Sequence, residues 1–223
     1  LERSDFAEPD DSSDFFALFR AWDQMRANRF DFQIGKRMGI HVSACRDVDR
    51  VAQQFIRITQ RACPDIDQSA VPDDETLARI LLTGFSDRIA KKLSASTLAC
   101  AVVDSRRGQL DKDSVVSSGD QIFIAGEMIE IEGRDLQVKL NLCTRVEEEW
   151  IRELYPDDFV ETAGAAWDDR SRKVEARKEK RFRDLVLESK PSGEIPLDEA
   201  ASLLAEKVLS GELNLKAWDQ SVA

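Results

Sequence analysis

Apolar residues recur at helical spacing up to about residue 92 and at strand spacing beyond it. Ser4 to Asp14 is loop chemistry, and Ser13 or Asp14 can cap a helix with Phe15, Leu18, Phe19 and Trp22 on its apolar face, ending near Asn28. A second short helix carries Phe32, Ile34 and Met38 and stops at Gly39. Ser43 reads as the cap of a long third helix. There Val48, Val51, Ala52, Phe55 and Ile58 form the inner stripe, Arg46, Asp49, Arg50, Gln53 and Arg57 the outer face, and Pro64 the end. A fourth helix begins around Asp73 and Asp74 and runs through Leu77, Ile80, Leu81 and Phe85, which completes a helical bundle up to about residue 92.

After Ser94 the runs are short and strand-like: Thr97 to Val103, Gln121 to Ile131, and the alternating Leu136, Val138, Leu140 and Leu142. Gly108, Gly119, Gly126 and Gly133 supply turns and bulges for a small, strongly bent sheet or barrel. A helix from Glu147 to Tyr155 follows, with Trp150 and Leu154 on one face to pin it to the bundle. Trp167 to Leu187 reads as a hairpin that turns at Asp168 to Ser171, with one long second strand from Lys173 to Leu187; the alternative is a helix with Val174, Arg177, Arg181 and Phe182 inward. A last helix runs from Leu197 to Leu209 and stops at Gly211. The expected fold class is α+β: helical bundle over 1–93, OB-like barrel with its closing helix over 94–161, and hairpin plus helix over 162–223.

Composition narrows the function classes. The chain of 223 residues is 42% hydrophobic and 34% charged, enough for a folded core. No apolar run approaches the roughly 18 residues of a membrane span, and the first residues do not form a secretory signal, so a soluble, cytoplasmic protein without a membrane partner is expected. The opening without Met suggests a piece of something longer. Cys45, Cys63, Cys100 and Cys143 make no Cys-x-x-Cys pair, which argues for reduced thiols with neither zinc nor disulfide.

Catalytic chemistry is sparse. His41 has no Cys or carboxylate at ligand spacing, and a structural or partly exposed role is expected. Gly35-Lys36 lacks the upstream glycine and following hydroxyl of a phosphate-binding loop, so no ATP binding or hydrolysis is expected. Asp157, Asp158 and Glu147 to Glu149 could meet a divalent cation, but acidic helix starts explain them as well.

The formal charge is −11, which disfavours nucleic acid, yet one segment reverses it. Arg170, Arg172, Lys173, Arg177, Lys178, Lys180, Arg181 and Arg183 stand against only Glu175 and Glu179, a local +6. On a strand, Arg177, Glu179, Arg181 and Arg183 would share one face, with Lys178 and Lys180 on the other. These eight side chains are the candidate phosphate contacts, the other reading being a solvated face; Trp167 and Phe182 offer stacking planes or core packing.

Several stretches also resemble one family in order. Leu1 to Phe6 and Ser13 to Trp22 resemble the segment after the winged helix of DEAH/DExH-box ATP-dependent RNA helicases. Phe32 to Phe55, ending Val48-Asp49-Arg50-Val51-Ala52-Gln53-Gln54-Phe55, is similar to the family's ratchet domain, and Ile80 to Ala90 to its entry into the OB-fold. Glu149 to Pro156 resembles the exit from that barrel, and Trp167-Asp168-Asp169-Arg170, Val174 to Arg177 and Leu185 to Leu187 resemble the bacterial HrpB-type branch. The resemblance implies an accessory C-terminal region, truncated at both ends (near Trp218 at the second), that guides single-stranded RNA. The RecA-like motor, with its ATP, magnesium and catalytic residues, would be missing here and would be a partner in the parent. The alternative is a protein-docking module with little RNA binding of its own.

Overall fold

The computed structural model describes residues 3–65, 73–119, 122–131, 137–168, 171–193 and 196–213. The chain divides into two compact units, Leu1–Trp150 and Ile151–Ala223. Among the described residues no helix is long and apolar enough to cross a membrane.

The first unit opens with helices α1 (Asp14–Ala27), α2 (Phe32–Arg37), α3 (Val42–Ala62) and α4 (Asp74–Gly84). Side chains of Ser13, Asp31 and Asp73 cap α1, α2 and α4 by accepting the N–H of Phe15, Ile34 and Thr76. The cap of α3 is His41 and not Ser43: the exposed imidazole accepts the Ala44 N–H at 3.2 Å on Nδ1, which gives the one histidine a structural place.

Two helix faces differ from the expected ones. On α1 the buried apolar side chains are Ala17, Ala21 and Met25, packed with Phe6, Ile40 and Val42, while Phe19 is 41% exposed. Small residues let the helices approach closely, and Gly35 does the same on α2, where an added Cβ would lie 2.2 Å from Val42 Cγ2. On α3 only Val42 is buried, and its apolar stripe is open: Val48 is 57%, Phe55 64% and Ile58 52% exposed. Ile80 of α4 likewise faces out, and Leu77, Ala78 and Leu82 are its buried side.

Strands β1 (Ile89–Lys92), β2 (Ala99–Val102), β3 (Arg106–Leu110), β4 (Ile122–Ile131) and β5 (Gln137–Arg145) close in the order β1-β2-β3-β5-β4. All neighbours are antiparallel except β3 and β5, which pair in parallel at Gln109↔Lys139 and Leu110↔Leu140. Cys100, Val102, Leu110, Phe123, Leu140 and Cys143 belong to the buried cluster of this ring. β2 and β4 fall within the expected runs and β5 extends its run to Arg145, Gln121, Gly133 and Leu136 lying outside the described residues. β1 lies within the stretch expected to be helical, and β3 was not expected as a strand. Each has only four or five residues with adjacent charges, Lys91-Lys92 and Arg106-Arg107, too little sequence for a period of two to show.

A buried carboxylate joins α1 to the ring. Asp14, at 1% exposure, accepts hydrogen bonds from the Cys143 N–H (2.7 Å), the Val115 N–H (2.9 Å) and the Ser114 hydroxyl (2.8 Å), and pairs with Arg3 at 3.1 Å. The Ser13 and Thr144 hydroxyls bond beside it at 2.7 Å, and Arg3 also reaches Asp111.

The ring separates the thiols by reactivity. Burial pushes Cys100 up to about 11 and Cys143 well above the ordinary thiol range, whereas Cys63 is exposed. Since the thiolate is the nucleophile, iodoacetamide at pH 8 should label Cys63 at least about 100-fold faster than Cys100 or Cys143 in the folded chain. Peptide mass spectrometry over time checks this, and equal rates would mean that the ring opens readily.

In the second unit β6 (Phe159–Asp168), β7 (Lys173–Phe182) and β8 (Leu185–Pro191) form an antiparallel sheet in the order β6-β7-β8, followed by α6 (Leu197–Leu209). The expected single strand from Lys173 to Leu187 is therefore two strands. The chain reverses at Arg183, in the left-handed region at φ 53°, whose N–H donates to the Asp158 carbonyl at 2.8 Å. Helix α5 (Glu148–Leu154) buries Ile151 rather than Trp150; the half-buried Trp150 ring lies under the Arg79 guanidinium, 5.5 Å from its centroid.

Candidate nucleic-acid interface

Seven of the eight candidate basic residues are described; Arg170 lies outside the described residues. They are carried on or beside β7, the central strand of its sheet, and five of them meet carboxylates, two on β7 itself and three brought from outside it. Arg177 meets Glu175 at 3.1 Å, Lys178 meets Glu161 at 3.6 Å, Lys180 meets Glu188 at 3.3 Å, Arg181 meets Glu179 at 2.7 Å and Arg183 meets Asp158 at 2.9 Å. Arg172 donates to the Glu212 carbonyl, and Lys173 is exposed. Hydrogen bonds from Lys190 and Lys180 hold Glu188 below the usual carboxylate range, which places charge on both sides of the pair.

Half of the local +6 is thus answered by carboxylates from outside the segment. Glu161, Asp158 and Glu188 lie outside the Arg170–Arg183 window, so a charge count along the chain misses them. Arg177, Glu179 and Arg181 do line one cleft, of about 750 Å³, but Arg183 stands past the strand end, in the turn. Of the two aromatics, Phe182 is fully buried, its ring 5.7 Å from that of Tyr155, and Trp167 lines the cleft. Among the described residues no three His, Cys, Asp or Glu side chains gather as metal ligands.

A second set of cations was not singled out in the sequence. On β1, β2 and β3, inward residues such as Ala90, Cys100 and Val102 alternate with outward ones. The outward row Lys91, Ala101 and Arg107 crosses three adjacent strands, and the row Ala99, Gln109 and Lys139 crosses β2, β3 and β5. Arg107 and Lys112 are exposed and have no ion pair among the described residues; Lys139 meets Asp111 at 3.2 Å. A cleft of about 340 Å³ beside them is lined by Gln109, Asp111, Lys112, Ile131 and Lys139 among others. The alanines leave the surface between the cations flat. Their signal in the sequence, Ala99, Ala101 and Arg107 at alternate positions around a turn, needs the β2–β3 register to be read as one face.

At Asp111, burial acts to raise the carboxyl, but the Asp113 N–H, Lys139 and Arg3 outweigh it and hold it below the usual range. Its contribution to stability is present above the ordinary Asp titration and is lost as pH falls through the folded value.

No protein-family model matches the sequence, and no curated protein matches it significantly. Among solved structures, the Escherichia coli DExH-box NTPase HrpB is similar at 19% identity and a TM-score of 0.42, over 57% of this chain and 15% of that one. A second crystal structure, of the Escherichia coli DEAH/RHA helicase HrpB, is similar at 19% identity and a TM-score of 0.45, over 67% of this chain and 18% of that one. The chain therefore spans less than a fifth of the length of the proteins it matches.

Proposed function

We propose that the chain is an accessory part of an ATP-dependent RNA helicase of the DEAH/DExH class, binding single-stranded nucleic acid while a RecA-like motor outside these residues hydrolyses ATP. The order of family-like segments supports this reading. The observation that carries it is the outward face of the ring, where Arg107 stands beside Ala99, Ala101 and Gln109 and Lys112 lines the adjoining cleft, both cations exposed and without an ion pair among the described residues. The strand order supports an OB-like reading of the ring, and OB-folds bind oligonucleotides on the face of their second and third strands. Single strands bind such faces by phosphate contacts to Lys and Arg, released by salt. The Arg170–Arg183 segment takes a lesser share in this reading, since a phosphate there must displace a carboxylate from most of the cations.

Reversing Arg107 and Lys112 to Glu should weaken binding of a single-stranded oligoribonucleotide about tenfold or more at low salt, for every sequence alike, and flatten the salt slope by about 1.4. Fluorescence anisotropy across a salt series checks this. The same affinity loss from reversing Arg177, Arg181 and Arg183, with none from Arg107 and Lys112, would return the site to β7.

The second reading, a protein-docking module, rests on the open stripe of α3 at Val48, Val51, Phe55 and Ile58. Binding through that stripe would be nearly insensitive to salt and abolished by Phe55→Asp, whereas RNA binding by the ring face would survive that change.

A further inference from the structure

We propose that the free edge of β6, with the acidic side of α6 beside it, accepts an extended basic peptide as an added antiparallel strand. The two edges of the second sheet differ. β8 is guarded by Glu188, Lys190 and the closing Pro191, devices that discourage strand addition. β6 has ten residues, and Thr162 to Trp167 contains neither charge nor proline.

One edge group already shows what fits there. The Ala165 N–H points away from β7 and donates to Glu199 Oε2 at 2.9 Å, so a side-chain carboxylate occupies the place of a neighbouring strand's carbonyl. Gly164 makes this reach available: a Cβ at Gly164 would lie 2.6 Å from the same oxygen. By alternation, Ala163 and Trp167 offer their N–H and C=O along the same edge. The space beside it is open, a cleft of about 750 Å³ along Thr162 to Trp167, whose Arg177 and Arg181 are already paired with Glu175 and Glu179, continuing into one of about 450 Å³ against α6.

Charge selects the occupant. The side of α6 on this cleft carries Asp198, Glu199 and Glu206, none with an ion pair among the described residues. An added antiparallel strand whose alternate residues are Lys or Arg sets those cations toward α6, and Glu199, displaced from Ala165, is free to meet one. A second copy is disfavoured, because its own β6 carries no Lys or Arg to meet these carboxylates. This inference stands apart from the RNA reading, and either can fail alone.

The probe is a labelled, N-acetylated octapeptide alternating Lys and Thr, titrated with the full chain and followed by anisotropy. Its Thr residues, opposite Ala163, Ala165 and Trp167, direct their N–H groups to β6, while the Lys N–H groups point away. N-methylation of the Thr nitrogens should cost at least about tenfold in affinity, and N-methylation of the Lys nitrogens less than about twofold. An octapeptide alternating Glu and Thr should not bind, and Asp198→Asn with Glu206→Gln should weaken the Lys peptide about fivefold or more at low salt. Equal binding of Lys and Glu peptides, no binding of either, or indifference to Thr N-methylation would overturn the proposal. Displacement of the Lys peptide by an equimolar oligoribonucleotide would overturn it in favour of nucleic acid at this edge.

Discussion

Replacing Asp14 by Ala should remove about 3–5 kcal/mol of stability from the first unit, the range for breaking a buried ionic pair by deleting one member. The carboxylate is 1% exposed and serves two backbone N–H groups, one hydroxyl and one guanidinium. Its loss leaves the Cys143 and Val115 donors and the Arg3 charge without their partner, and water has little access to replace it. Asp14→Asn keeps the size but turns an amide N–H toward groups that are themselves donors, so it should recover less than half of the loss. Urea unfolding followed by tryptophan fluorescence gives both values. A loss below about 1 kcal/mol for the alanine variant would mean that α1 is held to the ring by packing alone.

Phe123→Ala should cost a similar amount, about 3–5 kcal/mol, by leaving a cavity inside the closed ring. Phe123 is fully buried in β4, with Ala90 on the neighbouring strand and Leu140 and Cys143 in the same cluster. The ring cannot easily contract around the gap. Its strands are hydrogen-bonded on both sides, and Leu140 already presses against β3, where an added Cβ at Gly108 would lie 2.8 Å from Leu140 Cγ. Phe123→Leu should recover most of the loss, since the smaller side chain leaves less empty volume. The alanine variant should also label faster at Cys143, which lines the same interior. A melting midpoint within about 2 °C of the parent chain would show that the ring relaxes around the cavity.

Helix ends were more legible in the sequence than helix faces. Ser13 and Asp73 act through hydrogen bonds only two or three residues away, so the signals for them are local, although the cap of α3 fell to His41, two residues before the expected Ser43. The face of α1 depends on what comes near it: Ala17 and Ala21 are buried because small side chains permit close approach, and the aromatic spacing alone cannot reveal that. Asp14 was visible only as a possible cap, because its ring partners lie 100 or more residues away. The basic segment shows the same limit in its electrostatics. Counted along the chain it is strongly positive, whereas the β6-β7-β8 register places Glu161 and Glu188 beside Lys178 and Lys180. Reading the ring face from sequence would have required the β2–β3 register, and β3 itself is too short and too charged to announce a strand.

The reach of Asp14 across the sequence sets an order of events during synthesis. Its nearest ring partner is Ser114, 100 residues on, and the farthest is Cys143, 129 residues on. At about 5–20 residues per second, the ribosome needs on the order of ten seconds after making α1 before β5 exists to receive it. Throughout that interval α1 has no ring to dock on. The helical segment of a nascent chain therefore waits with greasy side chains uncovered, and a variant that delays translation between α4 and β5 lengthens its exposure to chaperones and proteases.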